Sequence, residues 1–270
     1  MNLYNLIQEK IFQTYEEWHM KNPIYDSNGF HIVGIDNSLK AMRDGYIMYT
    51  ELYPPHEIKG CTSMKAIVGE SEDLVDIYLD IHEKKYCMAD LSYDRAIQIM
   101  RAFVKKSILP DAETYVEVVD DGSEKIKASF EELSELLLGE PKLAKQFLKK
   151  VKPESFEELE NAWDKLCEEL LLKGVALELH RKYEKEGFLS AIKQLSAGKE
   201  LVVNEEILDD DGYISKWCAQ INASWTDYTL AAMDVGYDGY VLLVLKTEDF
   251  LRAKKLARTL LNRIAKAEEM

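Results

Sequence analysis

LVDIYLDIHEKKYCMADLSYDRAIQIMRAFVKK, residues 74–106, decides how the fold is read. Val75, Ile77, Leu79 and Ile81 alternate with Asp76, Tyr78 and Asp80, the period of two shown by a strand with one buried and one wet face. His82-Glu83-Lys84-Lys85 supplies a turn, Tyr86 to Leu91 returns, and Ser92 stands where a helix cap belongs. Ala96, Ile97, Met100, Phe103 and Val104 then share one side of a helix. The stretch predicts two antiparallel strands followed by one amphipathic helix.

The same order recurs from Asp227 onward. Tyr228 to Val235 leads into Gly236-Tyr237-Asp238-Gly239, an Asp-Gly turn that supplies the positive φ a hairpin needs. Tyr240 to Leu245 returns as an unbroken apolar run, Thr247 is the expected cap, and Phe250, Ala253, Ala257, Leu260 and Ile264 mark the buried stripe of a final helix. A unit repeated near each end of 270 residues favours an α+β protein of two domains. We assign residues 1–110 to an α+β domain with an antiparallel sheet, 111–128 to a linker or short hairpin, and 129–270 to a helix-rich α+β domain.

Outward from these units the reading is coarser. Leu3, Ile7, Ile11 and Tyr15 recur at spacings of four and predict a first helix ending before Asn22-Pro23. Phe30 to Asp36, Tyr46 to Tyr53 and Met64 to Val68 read as strands. Thr114 to Val119 and Lys125 to Ala128 flank Asp120-Asp121-Gly122 as a short hairpin. Ser129-Phe-Glu-Glu132 and Ser155-Phe-Glu-Glu158 both match the capping box, in which the glutamate reaches back to the serine amide. Pro141 starts another helix, while Gly174, Gly187 and Gly198 mark breaks in a mainly helical stretch. Asp209-Asp210-Asp211-Gly212 forms an acidic turn before a helix holding Trp217 and Cys218, and reads as an acidic N-terminal cap.

The 34 basic side chains face 49 acidic ones, a net charge of -15 that disfavours phosphate backbones and anionic lipid and favours a basic partner. Arg252, Lys254, Lys255, Arg258, Arg263 and Lys266 form a basic run, so residues 111–250 carry most of the acid, 31 acidic against 16 basic side chains. Cys61, Cys87, Cys167 and Cys218 include no C-x-x-C pair, which fits a reduced cytoplasmic protein. The N-terminus lacks a signal peptide's apolar run, and no stretch approaches the roughly 20 apolar residues of a membrane span.

Chemical motifs fail on spacing. His56-Glu57 and His82-Glu83 start like a zinc-protease helix, yet Gly60 and Tyr86 stand where the second histidine belongs. The calcium-loop spacing fails at Ile207 and Cys218. Phosphate-loop, dinucleotide-binding and nucleophile-elbow motifs are missing, so we expect no cofactor, no metal and no catalytic residue set. A cysteine nucleophile with His180 or His31 remains an alternative. What stands out is tyrosine mixed with acid on strands and turns: Asp76, Tyr78, Asp80, Asp209, Asp210, Asp211, Tyr237 and Asp238 form the expected partner-binding set, tyrosine anchoring and carboxylate steering.

Two resemblances add to this. MDVGYDGYVLLVL, residues 233–245, with the Trp217 region and the final helix, resembles an uncharacterised bacterial domain family of unknown function over roughly the last 140 residues; that family carries more serine and aspartate where this chain has Gly236 to Gly239. LDIHEKKYCMADLSYDRAIQIMRAF, residues 79–103, is similar to the immunity proteins of polymorphic toxin systems. That resemblance implies an acidic, cytosolic, non-catalytic α+β protein that plugs a toxin's active site or surface. The expected function is an acidic binding protein, an immunity-type inhibitor of a basic toxin domain that engages neither nucleic acid nor membrane. The alternatives are a hydrolase or transferase with dispersed catalytic residues, and a structural adaptor in a larger assembly. The sequence specifies no oligomeric state.

Overall fold

In the computed structural model, which describes residues 11–119, 123–180, 184–199, 201–210, 212–235 and 239–270 and only the backbone of residues 156, 157, 180 and 240, every second side chain of the strand Leu74–Ile81 is buried. The architecture is α+β with antiparallel sheets, and the chain divides into two units, Met1–Asp121 and Gly122–Met270.

The first unit runs Thr14–Asn22 (β1), Tyr25–His31 (β2), Val33–Arg43 (α1), Tyr49–Tyr53 (β3), Cys61–Val68 (β4), Leu74–Ile81 (β5), Lys84–Ser92 (β6), Tyr93–Lys106 (α2) and Val116–Glu117 (β7). Its sheet has the order β2-β1-β3-β4-β5-β6-β7, every pair antiparallel. The buried row Val75, Ile77, Leu79 and Ile81 continues into Met64 and Ala66 of β4 and Leu52 of β3. Helix α2 buries Ala96, Ile99, Met100, Phe103 and Val104, and Phe103 meets the Trp18 indole edge-on at 5.3 Å. The Ser92 hydroxyl accepts the Arg95 amide at 3.3 Å, the cap its position promises. In the β5–β6 turn His82 and Glu83 take φ of 49° and 64°, the pair of positive values that matches strand twist. The His82 ring lies against Gly60, where a Cβ would overlap it and where φ is 80°. Glycine is therefore required there twice over.

Two expectations fail at the start of this unit. Leu3 and Ile7 lie outside the described residues, but Thr14–Asn22 is a strand and not the end of a helix. The register of β1 against β2 shifts between Tyr15 and His19, so burial runs Tyr15, Trp18, Met20, Asn22. A bulge sets the first two buried positions, Tyr15 and Trp18, three apart instead of two and imitates a helical interval. Phe30 to Asp36 is likewise not a strand: β2 ends at His31 and α1 takes over, burying Ile35, Ser38, Leu39 and Met42 at helical spacing. The β-branched run Ile32, Val33, Ile35 suggested extended chain, but packing of that stripe prevails.

The second unit runs Ser123–Leu138 (α3), Pro141–Leu148 (α4), Phe156–Leu172 (α5), Ala176–His180 (β8), Lys185–Leu195 (α6), Ile214–Ser224 (α7), Tyr228–Met233 (β9), Gly239–Lys246 (β10), Thr247–Thr259 (α8) and Ile264–Lys266 (β11). Its antiparallel sheet has the order β11-β9-β10-β8. Both faces are covered. Ala231, Met233, Val241, Leu243 and Leu245 share a core with Phe130, Phe147, Trp163 and Phe250, while Leu230, Ala232, Leu242 and Val244 share another with Phe188, Ile192, Trp217 and Ile221. This explains the unbroken apolar run of β10: with helices on either side, no position is left for a polar residue.

Several boundaries differ from expectation. Val116–Glu117 joins the first sheet beside β6, and Lys125 to Ala128 lie in α3, so the two stretches form no hairpin. Ser129 sits inside α3, which starts at Ser123; Ser155 occupies the N-cap position of α5 but its side chain makes no capping hydrogen bond, and Glu158 accepts the Glu154 amide at 2.8 Å instead of closing back on Ser155. Gly187 lies within α6, and the edge strand β8 was hidden in a stretch read as helical. Lys246, not Thr247, occupies the cap of α8. That helix stops at Thr259, Leu261 turns with φ of 56°, and Ile264 is buried in β11. The Asp-Gly turn at 236–239 lies largely outside the described residues. No helix among the described residues is long and apolar enough to cross a membrane.

A tight contact precedes α7: the Trp217 indole donates to the Asp209 carbonyl at 2.8 Å, and a Cβ on Gly212 would overlap that ring. Gly212→Ala is expected to displace the indole and lose about 1–3 kcal/mol by urea denaturation, with quenching or a red shift of tryptophan emission.

Candidate functional site

Residues between the buried ones of β3 to β6 build the opposite face of the first sheet. Thr50 and Leu52 point to the core, so Tyr49, Glu51 and Tyr53 point away from it. The register then sets Lys21, Glu51, Lys65, Tyr78 and Cys87 in one row across five strands. The neighbouring rows hold His19, Tyr53 and Asp80 on one side and Tyr49, Ile67 and Asp76 on the other. All but the exposed Lys21 are half-buried. Helices α1 and α2 lie on the other face: Gly34 of α1 approaches Met20, whose cross-strand partner is Leu52, and Phe103 of α2 meets Trp18.

At the centre, the Lys65 ammonium is 4.6 Å from the Tyr49 ring centroid and 3.6 Å from Glu51 Oε2, with the Glu51 side chain only 13% exposed. The ring's negative face and the carboxylate hold the cation together. Burial first, and then the charge of Glu51 and the hydrogen bond to it, raise the Tyr53 phenol above its ordinary value. Tyr53 also meets the His19 ring at 5.5 Å, and His19 Nε2 is 2.9 Å from Asp26 Oδ1.

The expected partner-binding residues divide between the two units. Asp76, Tyr78 and Asp80 share the sheet face: Asp80 accepts from Ser63 Oγ at 2.6 Å, Asp76 accepts the Asp90 amide at 2.8 Å, and Tyr78 lies opposite its cross-strand partner Cys87. The Tyr78 phenol is raised chiefly by burial. Asp209 and Asp210 belong to the second unit, in the turn before α7. Asp210 pairs with Lys185 at 2.5 Å and Asp209 with Lys216, a bond that holds the Asp209 carboxyl below its usual range. The cap of α7 is Tyr213, so the acidic turn acts through these lysines and not as an N-terminal cap. Asp211, Tyr237 and Asp238 lie outside the described residues. Sequence reasoning missed Glu51 and Lys65; reading Tyr49-Thr-Glu51-Leu-Tyr53 at period two would have placed Glu51 on the face, while Lys65 joins it only through the β3–β4 register.

The structure also redistributes the charge. The first unit carries 12 basic against 21 acidic side chains and the second 22 against 28, because the acids at 111–121 belong to the first and the basic terminal run to the second. That run is engaged locally: Arg252 bonds Glu132 at 2.6 Å and Arg263 donates to the Glu269 carbonyl at 2.6 Å.

Neither of two surface grooves contains histidine or cysteine. The one between α1 and α2 is lined by Asp36, Leu39, Lys40, Arg43, Tyr93, Asp94 and Ile97, the other by Phe147, Lys150, Val151, Lys165, Glu168, Glu169 and Leu172. No cluster of three or more His, Cys, Asp or Glu suited to a metal occurs among the described residues. Burial is the leading cause that pushes the Cys61 and Cys87 thiols up to about 11 and Cys167 to about 12, and it raises Cys218 further. At neutral pH these are thiols, the unreactive form.

Fold and face together define a class: an α+β protein of two antiparallel-sheet units, one of them presenting an aromatic and charged sheet surface. The chain belongs to the family described as "Domain of unknown function (DUF6630)", whose model matches residues 112–267. No curated protein and no solved structure matches the chain.

The raised thiols give a pH dependence. Their folded values lie above the ordinary 9.0, so the associated stability is intact below pH 9.0 and drains as pH rises towards about 11. Urea midpoints should fall across that window, and Cys61→Ala with Cys87→Ala should flatten the fall.

Proposed function

We propose that this protein is a binding protein with an acidic surface, an immunity-type inhibitor that docks on a basic toxin domain and blocks it without chemistry. The observation that supports this reading is the sheet face of the first unit, where Tyr49, Tyr53 and Tyr78 alternate with Glu51, Asp76 and Asp80 on strands rigidified by pairing on both sides. Tyrosine offers contact area at low entropic cost, and the carboxylates select a positive partner. The excess of acid over base in the first unit steers such a partner from a distance. Residues 79–103, read from the sequence as resembling immunity proteins, include β6, which borders the face.

Co-expression with a toxin domain encoded beside its gene tests the reading. Restored growth and a joint peak on a sizing column are expected; continued growth arrest with no complex sinks it. The complex should also weaken by about tenfold or more between low and high salt, since an acidic docking surface is screened.

A further inference from the structure

We infer that the cradle of Tyr49, Glu51 and Tyr53 is a receptor for a lysine or arginine side chain of a basic polypeptide, with Lys65 holding the cation's place. The inference rests on the binding-protein reading above and names what the sheet face selects. Lys65 arrives from β4, the strand next to the one that carries the cradle. Its ammonium stands 4.6 Å from the centre of the Tyr49 ring, so the ring is turned to receive a cation. The approach to Glu51 is 3.6 Å, beyond direct hydrogen bonding, so Lys65 balances the carboxylate electrostatically without closing a bond to it. Tyr53 follows Glu51 two residues along the same strand and on the same face, and the charge of Glu51 adds to the burial that raises the Tyr53 phenol. A planar guanidinium could take the two carboxylate oxygens side by side while stacking on a ring, a fit that a flexible ammonium on a neighbouring strand does not reproduce.

The surroundings favour a basic chain over other cations. The first unit's excess of acidic side chains, 21 against 12, attracts a polycation more strongly than a single ion and repels nucleic acid. Further along the face Tyr78 and Asp76 place another ring and another carboxylate two residues apart on β5, the carboxylate also accepting the Asp90 amide.

A labelled oligoarginine peptide, titrated by fluorescence anisotropy against the full chain at physiological salt with oligoglutamate as control, tests the cradle. Lys65→Met empties it and should tighten oligoarginine binding by about fivefold. Lys106→Met removes the same charge from the exposed end of α2 and should change binding by less than about twofold. Adding Tyr49→Leu or Glu51→Gln to Lys65→Met should abolish the gain. Lys65→Met should also lower the melting temperature, because Glu51 is left half-buried without its cation, and the peptide should restore it. If Lys65→Met does not fold, Lys65→Gln takes its place. Equal effects of the two methionine variants, or a gain that survives Tyr49→Leu and Glu51→Gln, would overturn the inference. Rescue from the toxin that persists undiminished in Glu51→Gln sinks the cradle and spares the inhibitor reading; a working cradle without any rescue does the reverse.

Discussion

A strand hides only every second side chain unless something lies on both of its faces, and the two halves of this protein differ through that constraint. In the first unit Phe103 and its neighbours on α2 cover one face, so Val75, Ile77 and Leu79 are buried while Asp76, Tyr78 and Asp80 are left at the surface. In the second unit helices lie on both faces, so Val241 to Leu245 are all buried and the sheet becomes interior. One design leaves a patterned surface for recognition, and the other spends both surfaces on stability.

How much could be read from sequence follows from the same geometry. The β5–β6–α2 stretch was legible because its period of two, its Ser92 cap and its helical stripe agree with one another. The β9–β10–α8 stretch was legible up to Thr259, where Leu261 adopts a left-handed φ that no local residue preference announces. The misread strand at Thr14–Asn22 shows the limit: a bulge shifts the phase of burial, and the phase carries the signal. Helix α1 was missed for the opposite reason, since its β-branched start favours strand while burial of Ile35, Leu39 and Met42, with Gly34 close to Met20, requires helix. The cradle was half-legible. Its tyrosines stood out by type, but Glu51 and Lys65 become a pair only when the β3–β4 register is known.

Charge is the second lesson. Counted along the chain, acid concentrates in residues 111–250; counted by structural unit, the first unit has the larger imbalance. The long basic run at the C-terminus is bound up with acids and carbonyls of its own unit, as at Arg252 and Arg263, and the Asp209 and Asp210 carboxylates are spoken for by Lys216 and Lys185. Runs of like sign in a sequence therefore say little about where a field emerges from the folded surface.

The brevity of β7 has its own consequence. With only Val116 and Glu117 in the ladder, and with Glu117 clasped to Lys84 at 2.9 Å, β7 itself offers a newcomer almost no backbone to zip onto. At the far border, β2 carries Asp26 and a kinked Gly29, which discourage stacking in the same way. Both borders of the sheet thus carry features that discourage accretion. A polypeptide that meets it is turned from fibril-like extension towards lying across the broad, tyrosine-studded plane.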